Sequence, residues 1–234
     1  MSKISVEIGK RIRTFRKMRH LTLDELSAII CKSKSTLSKY EKGEIAVDIE
    51  TLYELAGALH IHVEQLLCQT GRTTLSAPDR YPAFFNGLSQ FYSYIFDGRN
   101  RQIIRSVFDI LSKTETNQYK IMMYMNFSDY DHYQICENTY WGYIEHYDAV
   151  TNIALTNQDT PMEKASVQIL ASYLDADTKW GLWNGFSSRP MMPIAIKMLF
   201  SKSLLKEDAE LAKKLQVSRE DIRLLKHYNM LSVT

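Results

Sequence analysis

Residues 31–44 read CKSKSTLSKYEKGE and follow an apolar-patterned run, LTLDELSAII, at residues 21–30. The first of these segments alternates lysines with short hydroxyl side chains, yet it places Leu37 and Tyr40 among them. A solvated linker does not need the leucine and the tyrosine, and a purely structural helix does not need so many short hydrogen-bond donors. We therefore predict a helix with one face in a core and the other face against an anionic surface.

The composition of the chain defines its broad class. With 234 residues, 45% of them apolar and 24% charged, the chain is long enough for one large or two ordinary domains with a proper core. No stretch approaches the ~20 apolar residues that span a bilayer, and the N-terminus lacks the apolar region of a secretory signal. The three cysteines are widely separated, which is typical of reduced thiols. We expect a cytoplasmic protein without a membrane partner.

Positive charge is concentrated at the start of the chain. Residues 1–43 carry a net charge of +7, residues 44–70 carry −5, and residues 71–234 are neutral. A basic region of this kind is the electrostatic footprint expected for binding a polyanion. A basic solvated face is the alternative, and composition alone does not separate the two.

The first 70 residues show the periodicity of five short helices. The second helix begins after Thr22, which has Glu25 three residues later and so forms a capping-box signature. Ser33 is placed to cap the third helix, and Gly43 to end it. The second and third helices are joined by a short turn, which is the geometry of a helix-turn-helix. The predicted helices cover residues 6–18, 23–30, 34–41, a run that opens at 48, and 63–67.

The ordered pattern IGKRIRTFRKMRHLT, DELSAII, SKSTLSKYEKGE and DIETLYELAGALHIHVEQLL resembles the phage-repressor-like (Cro/C1, or XRE) helix-turn-helix family over residues 6–67. The resemblance implies an all-α, five-helix, lambda-repressor-like domain over residues 1–68. It also implies a transcriptional regulator that binds double-stranded operator DNA as a homodimer, with the recognition helix at 34–42 in the major groove.

The resemblance assigns individual roles to residues of this segment. It places three side chains where the family reads base edges, namely Lys34, Ser35 and Lys39. It places four others where the family holds phosphates, namely Thr22, Ser33, Thr36 and Lys42. Lys32 and Ser38 complete the predicted DNA-binding set. Arg16 and Glu41 match a buried arginine–glutamate pair between the first and third helices, for which we expect a role in folding.

Two positions depart from the family pattern. Leu23 stands where the family usually has glutamine at the start of the second helix. The contact that this glutamine makes with the DNA backbone or a base is therefore absent here or supplied by another residue. Cys31 stands where the turn usually has glycine, a residue suited to positive φ. The cysteine is either a redox-sensitive group beside DNA or, more commonly, a small buried residue.

Residues 69–80, QTGRTTLSAPDR, are polar and broken by Gly71 and Pro78, which predicts a linker. The second domain, over 81–234, is predicted to be α+β, with at least four antiparallel strands between 101 and 158 and flanking helices. Apolar residues between 81 and 96 predict a helical stripe and a candidate dimer surface, although ordinary core is the alternative. Further helices are predicted after Pro161 and over 193–230.

Aromatic residues are abundant in this second domain, with 23 of them in residues 71–234. Aromatic-lined concavities are common ligand sites, so some of these side chains are candidates for binding an effector, either a small molecule or a peptide. The candidates are Tyr140, Trp141, Tyr143, Trp180 and Trp183. Filling the core or a dimer interface is the alternative role.

Catalytic signals are weak in this sequence. It has no Gly-rich phosphate loop, no G-x-S-x-G elbow and no His-Glu-x-x-His motif. The histidines of HIHVE at 60–64 and the set His132, Cys136 and His146 have poor spacing for a metal site. We expect a protein without enzymatic activity, metal or cofactor. An antitoxin or immunity protein, whose C-terminal domain binds a protein partner, is the alternative function.

Overall fold

The computed structural model describes residues 2–67, 82–114, 118–170, 175–188 and 191–233. The chain divides into two compact units, Met1–Arg72 and Thr73–Thr234. The predicted linker over 69–80 lies outside the described residues. We call the first unit the head and the second unit the barrel, and describe each by itself.

The head is formed by five helices, as the sequence predicted. Side chains that flank the helices satisfy the first free backbone N–H groups: Thr22 and Ser33 do so for the second and third helices, and Asp48 for the fourth. The predicted capping box of Thr22 and Glu25 is present. The helices are α1 (Lys3–Met18), α2 (Leu23–Ile29), α3 (Lys34–Lys42), α4 (Ile49–Ala58) and α5 (Val63–Leu66).

The core of the head joins all five helices. One apolar side chain or more from each helix is fully buried there, namely Ile12, Leu26, Leu37, Leu55 and Leu66. Helices α1 and α3 approach closely at Gly9, where a Cβ atom would lie 2.3 Å from the carbonyl oxygen of Tyr40. Glycine is therefore required at this crossing, and the crossing fixes how α3 is oriented on the head.

The second unit is an eight-stranded antiparallel barrel in which each strand pairs with the next along the chain and the last strand pairs with the first. This antiparallel sheet and its flanking helices confirm the predicted fold class. The strands are β1 (Gln90–Asp97), β2 (Gln102–Lys113), β3 (Tyr119–Phe127), β4 (Cys136–His146), β5 (Val150–Asn157), β6 (Lys164–Leu170), β7 (Thr178–Ser188) and β8 (Met191–Ser201).

The strand pairings differ greatly in length. Strands β7 and β8 pair along their whole length, as one long hairpin. Its attachment to the rest of the barrel is short, because β6 pairs with β7 over 166–169 and 181–184, and β1 pairs with β8 over 92–94 and 199–201. The described residues at the far end of the two strands, 185–188 and 191–194, extend beyond these two pairings.

The interior of the barrel is filled by apolar side chains that alternate along the strands. Phe91 and Phe108 stack with ring centroids 4.6 Å apart, and Phe200 lies beside both. One end is closed by a 3-10 turn at Ala83–Phe85, where Phe84 and Phe85 are buried and Phe85 packs edge-on against Phe91. The aromatic residues of this unit therefore serve largely as core, as one of the two sequence interpretations allowed.

The predicted helical stripe over 81–96 is wrong. The described part of this segment is the 3-10 turn followed by strand β1. Alternate residues of β1 point into the barrel, such as Phe91, while Tyr94 on the other face is covered by the segment that leads into the C-terminal helices. A strand covered on both faces is apolar at nearly every position, and such a run contains helical spacing by chance. The stripe is core, so it is not a dimer surface.

Two further predicted helices are also strands. The run after Pro161 forms β6, in which Ala165, Val167 and Ile169 point inward with period two. Lys164 and Gln168, which alternate with these inward residues, are good helix formers, and they obscured the period of two. The run that begins at 193 lies within β8 rather than in a helix.

The two predicted C-terminal helices are present as α6 (Ala209–Leu215) and α7 (Arg219–Tyr228). Helix α6 buries Leu211 and Leu215 in a cluster with residues of β1 and β8. Helix α7 is attached by an ion pair of 3.0 Å between Lys197 of β8 and Asp221. Among the described residues, no helix has the length and the apolar character needed to cross a bilayer.

Candidate nucleic-acid interface

Helix α3 presents two faces of opposite character. Leu37, Tyr40 and Glu41 are buried against the head, while the lysine side chains point to solvent. The helix ends at Gly43, which adopts a left-handed φ of 68°. This division explains why the basic segment contains a leucine and a tyrosine. The exposed predicted residues on or beside α3 are Lys32, Ser33, Lys34, Ser35, Lys39 and Lys42, and those of intermediate exposure are Thr36 and Ser38.

The hydroxyl groups at the start of α3 hold one another in place. The Ser33 hydroxyl accepts a hydrogen bond from the Thr36 backbone N–H at 3.0 Å. It also lies 2.8 Å from the hydroxyls of both Ser35 and Thr36. The cluster leaves these side chains ordered at the helix N-terminus, where a phosphate is favoured by the helix dipole.

Thr22 occupies the same kind of position at the start of α2. Its hydroxyl oxygen accepts a hydrogen bond from the Glu25 N–H at 3.2 Å, and the Glu25 carboxylate accepts one from the Thr22 N–H at 2.7 Å. This backbone hydrogen bond from Thr22, together with one from its hydroxyl, lowers the pKa of Glu25. Thr22 is therefore fixed beside an anionic group, and a phosphate there would meet the negative charge of Glu25.

Arg16 and Glu41 form a bidentate ion pair between α1 and α3. Arg16 Nε and a terminal guanidinium nitrogen donate to the two carboxylate oxygens at 2.5 and 2.9 Å. Arg16 also donates to the Leu21 carbonyl at 2.8 Å, and both charged residues are buried. The hydrogen bond and charge of Glu41 raise the pKa of Arg16. The pair links helix α3 to the body of the head.

Two more arginines have structural contacts that sequence reasoning missed. Arg11 donates to the carbonyls of Gln65 and Leu67, at the end of α5. Arg19 donates to the carbonyls of Leu59 and His60, at the end of α4. Arginine commonly satisfies free carbonyls at helix C-termini, but these contacts span 40 residues or more and leave no local sequence signal. Part of the basic charge of the head is therefore engaged internally.

Lys34 has a partner that the sequence did not reveal. Its ammonium group lies 2.7 Å from the carboxylate of Asp24, on the first turn of α2. Both side chains are largely exposed, at 59% and 68%. A base contact by Lys34 would require the ammonium group to exchange this carboxylate for the base edge. Asp24 thus lies directly beside the predicted base-reading position.

The turn between α2 and α3 adopts a left-handed backbone conformation at its cysteine. Cys31 has a φ of 51°, in the left-handed region where glycine is favoured. The cysteine is exposed, so the interpretation as a small buried residue is wrong. Leu23, at the other departure from the family pattern, is partly buried against the core of the head. Its side chain therefore has a packing role.

The five aromatic candidates of the barrel do not share one pocket. Tyr140 and Trp183 point into the barrel and pack edge-on, with ring centroids 5.6 Å apart. Trp141 and Tyr143 point outward from β4, with centroids 6.3 Å apart. Trp180 lies elsewhere on the outer surface, with the Lys197 ammonium group 4.3 Å from its ring centroid. Trp141 and Tyr143 remain together as one candidate binding surface.

The weak metal candidates are separated by the fold. Cys136 begins β4 and His146 ends it, so the two lie at opposite ends of one strand. His132 contacts Asp129 instead, at 2.8 Å. Within the described residues, no group of three or more histidine, cysteine, aspartate or glutamate side chains is placed to hold a metal ion.

Comparison with known proteins finds similarity in the head. The HTH_3 family model, described as helix-turn-helix, matches residues 12–66. The restriction-modification controller protein C.AhdI from Aeromonas hydrophila is 27% identical, over 26% of this chain and 94% of its own, with a TM-score of 0.26. No curated protein matches the chain.

Two other solved structures align over most of the chain at low similarity. An HTH_3 family transcriptional regulator from Vibrio cholerae is 15% identical over 85% of this chain and 96% of its own, with a TM-score of 0.28. Hydroxypropylphosphonic acid epoxidase from S. wedmorenis is 10% identical over 86% and 92%, with a TM-score of 0.30. Scores this low carry no inference about the barrel. The family match does identify the head: residues 12–66 are a helix-turn-helix domain of the HTH_3 family.

Proposed function

We propose that this protein is a cytoplasmic, non-enzymatic transcriptional regulator that binds operator DNA as a homodimer. The observation that carries the proposal is the exposed basic face of α3, in a head that matches the helix-turn-helix family. In such domains the second helix of the motif reads the major groove and the adjoining groups hold the backbone. Lys34, Ser35 and Lys39 are assigned to base edges, and Lys42 with the capping hydroxyls to phosphates.

The test begins with selection of bound duplexes from a random library, using the full chain. An inverted repeat with half-site centres about 34 Å apart is the expected result, because one recognition helix covers a few base pairs. Titration at two salt concentrations then distinguishes contacts to base edges from contacts to phosphates. Lys34→Ala should relax base preference within each half-site, whereas Lys42→Ala should weaken all sequences alike and reduce the salt slope by about 1.

Lys214→Ala, at an exposed position of α6 in the barrel, is the matched control because it removes the same charge from the other unit. It should leave the affinity and the salt slope close to those of the unmodified chain. Weak binding that is independent of sequence, or equal effects of all three substitutions, would contradict a sequence-reading role for α3.

For the dimer contact, we propose the partly exposed apolar side chains of α7. Ile222, Leu225 and Tyr228 lie on one side of this helix and are 42–54% exposed. An apolar helical stripe of this kind is suited to packing against a second copy of itself. Light scattering on the full chain at tens of micromolar should give a dimer, and combined Ile222→Glu and Leu225→Glu should give a monomer. Leu204→Glu is the control, since Leu204 is similarly exposed, at 50%, outside α7.

A further inference from the structure

The outer surface of the barrel contains a trough that crosses four neighbouring strands. It has a volume of about 460 Å³, within the range of small-molecule sites. Two rows of outward side chains line it, as the strand register shows: Trp141, Thr156 and Lys164 form one row, and Tyr143, Ala154, Ser166 and Asn184 form the other.

The trough exists because large and small side chains are segregated by strand. Strand β4 contributes the two aromatic side chains, Trp141 and Tyr143, as a wall. Strands β5 and β6 contribute Ala154, Thr156 and Ser166, which are too short to fill the space beside that wall. An aromatic wall above a floor of small side chains is suited to a flat ring. Because the planes of Trp141 and Tyr143 differ by 77°, such a ring can stack on one of them, meet the other edge-on and displace water from both.

Gly142 fixes the position of this aromatic wall. A Cβ atom on Gly142 would lie 1.8 Å from the carbonyl oxygen of Ala154 on the neighbouring strand. Glycine inside a strand often marks a close backbone approach of this kind. The approach holds the two aromatic residues that flank Gly142 against the start of the small-residue floor.

The far side of the trough carries one cation. Lys164 is exposed at the start of β6, and across the described ranges its ammonium group lies in no ion pair. It is separated from Trp141 by Thr156, so the two Cα atoms are two strand spacings apart, roughly 10 Å. That separation suits a bicyclic ring at the aromatic wall with an acidic group at the lysine.

We infer that this trough binds a small planar aromatic anion. The ring packs on Trp141 and Tyr143, and the anionic group accepts a charge-assisted hydrogen bond from Lys164. The inference gives a ligand class to the effector expected of the proposed regulator, and in that role it rests on the proposed function. Binding itself depends on the barrel alone.

The experiment uses the full chain with naphthalene-2-carboxylate and its neutral analogue, naphthalene-2-carboxamide, as probes. Calorimetry should show at least tenfold tighter binding of the carboxylate, and tryptophan fluorescence should change on binding. Lys164→Met keeps the aliphatic stem, so it should remove the preference for the carboxylate. Ser166→Tyr should block both probes by filling the floor. Lys214→Met is the control and should bind like the unmodified chain.

Equal affinity for the two probes, or a carboxylate preference that survives Lys164→Met, would overturn the inference, as would no binding of either probe. Operator affinity is measured separately with the selected duplex. If the carboxylate binds through Lys164 but no specific duplex is found, the trough is supported while the regulator function fails. If a specific duplex is found but neither probe binds, the regulator function stands and the trough fails.

Discussion

The head and the barrel differ in how their proposed binding residues are distributed along the sequence. In the head, the side chains proposed to contact DNA lie on one short helix, and neighbouring residues of the chain form the exposed face. In the barrel, the outer trough is assembled from four strands. Residues adjacent in sequence, such as Tyr140 and Trp141, lie on opposite faces of the sheet. A helical face can therefore be read locally, while a barrel face requires the register between strands.

The two units also differ in how they bury charge. The head buries the ion pair of Arg16 and Glu41, whereas the side chains that fill the barrel interior are largely apolar. Glu41→Ala should therefore destabilise the head by about 3–5 kcal/mol, because it leaves a buried guanidinium group without its carboxylate. Urea unfolding followed by far-UV circular dichroism measures this loss. Glu50→Ala, at an exposed position on α4, should change it little.

A double-mutant cycle sharpens this prediction. Arg16→Ala combined with Glu41→Ala should cost clearly less than the sum of the single substitutions, because the second removes a group already left unpaired. Full additivity of the two free-energy changes would contradict a coupled pair.

The barrel contains the half-buried His146, which predicts a pH dependence of the stability of the barrel. Burial lowers the pKa of His146 to about 4, against 6.5 for the ordinary side chain. The unfolded chain therefore binds a proton below pH 6.5 that the folded barrel does not bind until pH 4, so stability is full above pH 6.5 and falls as the pH drops. The loss should reach up to about 3 kcal/mol near pH 4.

Tryptophan fluorescence isolates this effect, because all three tryptophans, Trp141, Trp180 and Trp183, belong to the barrel. Denaturant unfolding at pH 7 and pH 4.5 should show a smaller difference for His146→Gln than for the unmodified chain. His20→Gln, at an exposed position of the head, serves as the control. An unchanged pH dependence in His146→Gln would contradict the assignment.

Glycines provide a third comparison, within the barrel. Gly142→Ala should destabilise the barrel by about 1–3 kcal/mol, because the new methyl group meets the Ala154 carbonyl of the neighbouring strand. Gly98→Ala should be tolerated, since a Cβ atom there meets nothing within 4 Å. Unfolding midpoints from tryptophan fluorescence compare the two. Equal midpoints would mean that β4 and β5 separate at no cost.

The smallest effect is expected at the head surface, from Asp24→Asn. Removing the carboxylate that holds Lys34 leaves one negative charge fewer beside the DNA. Exposed ion pairs contribute up to about 1 kcal/mol, so affinity for all duplexes should rise by less than about fivefold, and the gain should shrink at high salt. Glu54→Gln, on the exposed side of α4, controls for net charge. Equal gains from both variants would argue against a local role for Asp24.

Much of the head could be predicted from its sequence because its signals are local. The caps at Thr22 and Ser33, the end of α3 at Gly43 and the inward Leu37 and Tyr40 follow from helical spacing. The contacts of Arg11, Arg19 and Lys34 could not be predicted in this way. Each joins separate helices, and its partner is decided by how those helices pack.

The barrel was predicted as an antiparallel sheet with flanking helices, and the two C-terminal helices were placed correctly. The errors at 81–96, after Pro161 and at 193 share one cause. Each strand there is either covered on both faces or carries helix-forming residues between its inward positions. The alternation of apolar and polar residues that marks a strand was therefore obscured. The grouping of Trp141 with Tyr143, and their separation from Tyr140, follows from strand alternation once β4 is placed.

The unequal lengths of the strand pairings determine where the barrel opens locally. Hairpin β7–β8 is held to its neighbours over 166–169 and 92–94, so freeing it breaks few hydrogen bonds outside the hairpin itself. Strands β2 to β4 are paired over much longer stretches on both sides. We therefore expect the hairpin to open as one cooperative unit, with early deuterium uptake at the amides that bond it to β6 and β1 and slow uptake in β2 to β4.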